Sequence, residues 1–290
     1  MKIGIGRFEG GWADLLPLLG LSFAAPWNEA QLEAERKIWE PGRSIVATDE
    51  KEIVGHTCAF SFDMTVPGAR LPVAGVSLVG VLPTHRRRGV LRDLMRQQLT
   101  ELYETGAEPV AALTASEPII YGRFGYGLGS VHQEVTVPKV ARALREVDGV
   151  NDVRISYADP AESLDTCTEI HNTQALERPG MFQFDDRWSK HVIGETVVTD
   201  ARNGSPMRCV LASRNGDTTG YAHYRTKRAD RGYVDVIRVH AKDLASHIAL
   251  WRFLLDQDPN GANTRRLAEE LLSTAARAKA EIQRRGDLKK

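Results

Sequence analysis

The chain has 290 residues, 42% hydrophobic and 26% charged, and its 38 Lys+Arg balance its 38 Asp+Glu. This is the mix of an ordinary globular protein, and the length suits two domains better than one. With no cationic excess, neither nucleic acid nor an anionic membrane is expected as a partner, and any anion site must be local.

In chain order, "GIGRFEGG" from Gly4 is rich in glycine, but its third glycine falls at Gly10 and only three residues precede it. It fails the strand–turn–helix test of a dinucleotide site. "LLPLLGLSFAAP" (residues 15–26) has the apolarity of a signal-peptide core. Glu9 and Asp14 stand where a basic region belongs and Pro17 interrupts the run, so no export signal is expected. No apolar run reaches the ~20 residues of a membrane span. Cys58, Cys167 and Cys209 are odd in number, widely separated and without CxxC spacing, which suits a reducing cytoplasm and predicts neither a disulfide framework nor a zinc site. The eight histidines show no HExxH-type spacing, so no metal is expected.

From Ser44, "SIVATDEKEIVGHTCAFSFDMTVPG" reads as two strands around a charged turn at 49–51, closed by a turn at Pro67-Gly68. "LPVAGVSLVGVLP" (71–83) is a further strand, apolar almost throughout as a strand covered on both faces should be. Residues 90–105 are helical, with Leu91, Leu94, Met95, Leu99, Leu102 and Tyr103 recurring at spacings of 3 and 4, and Gly106 sits at a C-terminal glycine position. "EPVAALTAS" (108–116) returns as a strand, which makes a parallel crossover unit, and "SVHQEVTVP" (130–138) alternates Val131, Val135 and Val137 with polar neighbours. The expected class is α/β (α+β): a mixed, mostly antiparallel sheet flanked by helices.

The composition turns polar around 145–152, which predicts a first domain at 1–148 and a second at 149–258. The second block follows the same outline: a helix at about 161–174, strands near "MRCVLAS", "GYAHYRT" and "GYVDVIRVH", and a helix at "LASHIALWRFLLD". A diverged structural repeat is expected. Residues 259–290 read as a charged helical tail whose strong apolar side chains are Leu267, Leu271 and Leu272.

"GVLPTHRRRGVLRDLM" (80–95) wedges three arginines and a glycine between a strand and a helix. A helix N-terminus leaves its first N–H groups unpartnered and carries partial positive charge, so it cradles phosphate. Gly89 lets a pyrophosphate approach the backbone, and Arg87, Arg88 and Arg92 can fork onto its oxygens. The segment is suited to a diphosphate.

"VLPTHRRRGVLRDLM" resembles the acyl-CoA loop of the GCN5-related N-acetyltransferases (GNAT), and with "ALTASEPIIYGRFGYG" the chain is similar to their Eis (enhanced intracellular survival) branch over about residues 1–258. The resemblance implies tandem GNAT-like domains and acetyl-CoA as co-substrate, bound where the fourth and fifth strands splay apart. Backbone groups of Val79, Gly80 and Val81 would pair with the pantetheine arm. The pyrophosphate would lie on Arg87, Arg88, Gly89, Val90, Leu91 and Arg92, with Ser116 and Glu117 at the acetyl end. Tyr121 matches the family's general acid, and a phenol with a pKa near ~10 stays protonated at neutral pH to serve a leaving thiolate. Tyr126 is expected to pack beside Phe124.

The resemblance further implies a third, sterol-carrier-like domain whose C-terminal carboxylate acts as base. The match here stops near Asp258, which leaves the base open among Glu117, His132 and a water chain, and self-association into a homo-oligomer or poor solubility is expected of the uncovered second domain. Phe23 matches an aromatic of the acceptor pocket, whereas Arg36 and Leu78 replace aromatics. An arginine there disfavours a cationic amine. The implied function is acetyl transfer to a primary amine of an aminoglycoside- or polyamine-like small molecule, or of a lysine, by direct attack in a ternary complex. The alternative is a weakly active or inactive acyl-CoA-binding protein of the same fold.

Overall fold

The computed structural model describes residues 3–23, 29–115, 117–131, 134–138, 141–194, 204–227, 233–257 and 263–265. The chain divides into two compact units, residues 1–129 with 175–191 and residues 130–174 with 192–290. This differs from a boundary at 148/149. Composition registers the exposed turn there, but Leu144 and Val147 before it pack with Val150, Ile248 and Ala249 in the second unit's core, and Thr136–Val137 joins the second sheet.

In the first unit β1 (Gly4–Arg7), β2 (Ser44–Asp49), β3 (Glu52–Val66), β4 (Ala69–Val81) and β5 (Val110–Ala112) lie side by side in chain order. The first four are antiparallel neighbours and β5 runs parallel to β4. Helices α1 (Trp12–Phe23) and α2 (Glu29–Ile38) connect β1 to β2, and α3 (Val90–Thr105) makes the β4–β5 crossover. The segment weighed as a signal core is α1, with Leu15, Leu18 and Leu19 fully buried. Gly80 lets α1 sit close, since a Cβ there would lie 2.9 Å from that of Ser22. Val90 and Leu94 of α3 pack as tightly on Gly55. Gly55 pairs with Val81, and neighbouring strand residues face opposite ways, so α1 and α3 cover opposite faces of the sheet.

Leu94 and Met95 of α3 are buried as their spacing predicts, but Tyr103 is 87% exposed and Gln98 takes the inward position. Gln98 shares the helix face of Leu94, and its Oε1 accepts from the Thr57 hydroxyl at 2.8 Å, so a polar pair occupies the helix–sheet contact.

The second unit's sheet has the order β6 (Thr136–Val137), β12 (Asn263–Arg265), β11 (Tyr233–Ala241), β10 (Asp217–Lys227), β9 (Arg208–Arg214), β7 (Arg154–Ala158). Read as β7-β9-β10-β11-β12 it repeats the first sheet, antiparallel except for a final parallel pair of three residues. Helix α4 (Leu164–Glu177) follows β7, and α6 (Leu244–Asp256) makes the parallel crossover as α3 does. Two expectations need correction. Among the described residues of the strand read at 130–138 only Thr136–Val137 pairs, and it joins the second sheet. Asn263–Arg265 is a strand, where a helical tail was read; residues 266–290 lie outside the described residues.

Residues 175–191 return to the first unit. There β8 (Phe182–Gln183) pairs with β3, and α5 (Asp186–Ser189) places Trp188 against Phe60 and Phe62 with ring centroids 5.1 and 4.5 Å away. Arg187 donates to Glu40 at 3.0 Å.

Candidate active site

The end of β4 is irregular on both sides. Toward β3, His56 pairs with Gly80 and Cys58 with Ser77, so Leu78 and Val79 together oppose Thr57 in a β-bulge. Leu78 is left-handed at φ 50°, uncommon for a non-glycine residue. The bulge is fastened by His56, whose Nδ1–H donates to the Leu78 carbonyl at 2.9 Å. The other ring nitrogen lies 3.2 Å from the Ser44 hydroxyl, which itself accepts from the Trp39 indole N–H at 2.8 Å. Burial pushes His56 down to about 4, against the opposing pull of the Leu78 carbonyl, so the ring is neutral at pH 7.

Toward β5, β4 pairs only through Val73, Ala74 and Gly75. From Val76 to Val81 it has no strand partner on that side among the described residues, so the backbone at Val79, Gly80 and Val81 lies on an edge that no strand pairs. Val79 and Val81 are half-buried, and Gly80 is buried.

Beyond β4 a short turn at Pro83–His85 leads to the arginines. His85 is buried and anchors the turn, with Nε2 3.3 Å from the Asp49 carboxylate and Nδ1 2.8 Å from the Thr84 hydroxyl. Arg88 approaches the same carboxylate at 3.8 Å. Arg87 is exposed at φ 62° and makes no ion pair among the described residues. Gly89, at φ 86°, is the N-cap of α3 and supplies no side-chain cap. Two left-handed residues two apart thus turn the chain into a helix whose first N–H groups no side chain covers. At the equivalent start of α6, Asp243 accepts from the Ser246 N–H at 2.9 Å and from its hydroxyl at 2.8 Å. A carboxylate already fills that position.

Two of the expected contacts need adjustment. Val90 is 3% exposed, so it offers only backbone. Arg92 is paired with Asp93 at 2.9 Å, a contact that raises the guanidinium and lowers the carboxyl, so its charge is shared within α3. Leu91 is half-buried, and Ser116 and His132 lie outside the described residues. Leu78 is buried, while Phe23 is 41% exposed and lies 3.7 Å from the position a Gly80 Cβ would take. Arg36 is exposed and forks onto Glu33 at 2.7 Å through both nitrogens, which offsets the like-charge repulsion expected of it.

Pro118–Phe124 forms a tight helical segment that carries Tyr121, ended by Gly125 in the left-handed region. Tyr121 is half-buried, and burial followed by the exposed Glu117 charge raises its phenol above the ordinary tyrosine value. It stacks edge-on to Tyr126 at 5.9 Å and faces Phe124 at 6.5 Å. The hydroxyl of Tyr126 is buried without a hydrogen bond among the described residues, and burial pushes it up to about 12.

Sequence reasoning passed over His56, His85 and Asp49. For His85 the signal was present, a histidine between a helix-starting proline and an arginine run. The spacing of the cysteines predicts no zinc site, yet in the second unit Cys167, Cys209 and His223 bring their ligand-capable atoms within 4.8 Å of one another.

Residues 9–129 match a family model described as an acetyltransferase (GNAT) domain, and residues 180–278 match a second of the same description. An N-acetyltransferase of Streptomyces avermitilis, uncharacterized, is 42% identical over 79% of this chain and 58% of its own length. The N-acetyltransferase Eis of Mycobacterium tuberculosis is 31% identical over 86% of this chain and 62% of its own. The chain thus spans about three fifths of the length of these relatives. Among solved structures, Eis1 from Mycobacterium abscessus superposes with a TM-score of 0.72 at 25% identity, over 94% of this chain and 68% of that one. A GCN5-related N-acetyltransferase from Anabaena variabilis gives 0.76 at 14% identity, over 93% and 68%.

Proposed function

The chain belongs to the GNAT N-acetyltransferases, in their Eis-like branch, and from that premise we propose that it transfers the acetyl group of acetyl-CoA to a primary amine. The acceptor class we assign is an aminoglycoside- or polyamine-like small molecule or a lysine side chain. One observation carries the reading: of two helices at equivalent places in two like sheets, α6 is capped by its own Asp243 and α3 begins at Gly89 with no side-chain cap beside exposed arginines. Only the α3 end has anion-binding capacity to spare.

In this proposal the open β4 edge at Val79, Gly80 and Val81 offers backbone groups to the pantetheine amides. Arg87, Arg88 and the N–H groups that open α3 hold the pyrophosphate, with Arg92 joining by exchanging Asp93 for it. Ser116 and Glu117 lie toward the acetyl end. The amine nitrogen attacks the thioester carbonyl, the C–S bond breaks, and the sulfur takes the Tyr121 hydroxyl proton. The nitrogen's surplus proton passes to solvent, and Tyr121 regains its own there. With its phenol above the ordinary tyrosine value, Tyr121 holds the proton to be donated through the neutral range.

The test is calorimetric CoA binding alongside acetyl-CoA consumption with a panel of amines. Replacing Arg87 and Arg88 with Ala should weaken CoA at least about tenfold, since two charge-assisted contacts go. Tyr121→Phe should cut turnover by about 100-fold, the lower range for a lost general acid, at unchanged CoA affinity. CoA binding without consumption of acetyl-CoA for any amine would favour the acyl-CoA-binding alternative. No CoA binding would overturn both.

A further inference from the structure

The two faces of the second sheet differ. Val210, Ala212, Ala222 and Tyr224 pack with Leu250, Trp251 and Leu254 of α6 in an apolar core. Strand residues alternate faces, so Cys209, Tyr221 and His223 look the other way. On that face, Cys209 and His223 are direct cross-strand partners on β9 and β10. Cys167 of α4 comes down onto this pair, its Sγ 3.9 Å from the His223 Nε2. Ser163, one turn earlier and on the same side, donates its hydroxyl to the Asp159 carbonyl at 2.6 Å and sets its Oγ 3.5 Å from the Cys209 sulfur. Cys167 and His223 are 0% exposed, Cys209 1% and Ser163 6%.

We propose that Cys167, Cys209 and His223 form a structural zinc site that ties α4 to the second sheet, with Ser163 or a water supplying an oxygen as fourth ligand. The donor set decides the metal. Two thiolates and an imidazole are soft to borderline ligands, which select zinc over the hard cations magnesium and calcium. Zn–S bonds of about 2.3 Å and Zn–N bonds of about 2.0–2.1 Å in a tetrahedron set ligand atoms about 3.5–4 Å apart. The Cys167–His223 separation already meets this, and the rest of the cluster reaches it by closing less than 1 Å from its 4.8 Å limit. Charge agrees as well: two thiolates neutralise one dication, which a dry interior requires of a buried ion. His223 presents Nε2 to the sulfurs, while its Nδ1 makes no hydrogen bond among the described residues.

The three ligands come from positions 167, 209 and 223, so binding closes two loops and couples the ion to folding of the unit. On binding, the two S–H protons are released to solvent.

The full chain, reduced and stripped with a chelator, is titrated with Co2+ and then with Zn2+. We expect about one metal per chain and the cobalt–thiolate charge-transfer band of a tetrahedral site, displaced by zinc. Cys209→Ser and His223→Gln should each weaken Co2+ at least about tenfold, the scale of even outer-shell losses. The chain has only three cysteines, so Cys58→Ser, which alters the first unit, must leave the band intact. If the second-unit variants fail to fold, the wild-type spectrum with the Cys58→Ser control still decides. Absence of a thiolate band in the reduced wild type would overturn the proposal, as would metal retained equally by Cys209→Ser or a Cys167–Cys209 disulfide that persists under reduction.

Discussion

His56 is fully buried, and through Leu78 it holds the one left-handed residue of β4 beside that strand's unpaired edge. Its folded pKa of about 4 lies below the ordinary 6.5, so the unfolded chain binds the extra proton more readily. Its contribution to stability is therefore fully present above about pH 6.5 and is lost as pH falls through 4, by about 3 kcal/mol. Denaturant titrations between pH 4 and 7 should show this slope, and His56→Leu should flatten it while lowering stability at pH 7. Tyr126 behaves oppositely. With a folded pKa of about 12 against the ordinary 10, its stability contribution holds below about pH 10 and is lost as pH rises toward 12. Because its hydroxyl is unbonded among the described residues, Tyr126→Phe should cost less than about 1 kcal/mol in thermal unfolding or even stabilise.

At the level of elements, the two crossover helices carry contrasting N-termini, and each can be tested by one substitution. Gly89→Ala places a Cβ at φ 86° and 3.0 Å from the Arg92 guanidinium, which costs about 1–2 kcal/mol and should weaken CoA by narrowing the approach to the backbone. Asp243→Ala removes the cap of α6 and should cost about 1 kcal/mol in thermal unfolding with CoA affinity unchanged. Strands β2, β3, β4, β9, β10 and β11 and helices α3, α4 and α6 were legible in the sequence, because each is long and periodic and ends at a turn or cap residue. The arginine loop was legible for the same reason, since a glycine, a proline and a charge run are all local signals. Much of the rest rests on distant partners. β5 and β6 were read as strands but far longer than the two or three residues that pair, while β8 and β12 are as short, exist as strands through pairing, and were missed, so propensity misread Asn263–Arg265 as helix. α1 was obscured by Pro17 within it. The β4 bulge depends on His56 across the sheet, and the Cys167, Cys209 and His223 cluster joins three elements that no spacing rule links.

For the whole molecule, two like sheets with one uncapped crossover helix predict one CoA per chain rather than two, which the stoichiometry of a calorimetric titration checks. The division of the chain makes a second prediction. A fragment ending at residue 148 lacks β8, Trp188 and Arg187, and so leaves Phe60, Phe62 and Glu40 without partners they have in the first unit. Such a fragment should melt well below the full chain, by about 10 °C or more if two buried aromatic contacts and an ion pair go together. A fragment ending at residue 191 should recover much of that difference, and equal melting of the two would remove the importance given to β8 and α5. The same connectivity sets an order on the ribosome. β3 and β4 leave the exit tunnel early, yet the sheet they form is completed only when residues 182–189 follow, roughly 120 residues behind β3. At about 5–20 residues per second this is a delay of several seconds or more, during which the aromatic face of β3 stands uncovered in the nascent chain. Translation speed between codons 66 and 182 is thus a setting for how much of this protein reaches its native sheet.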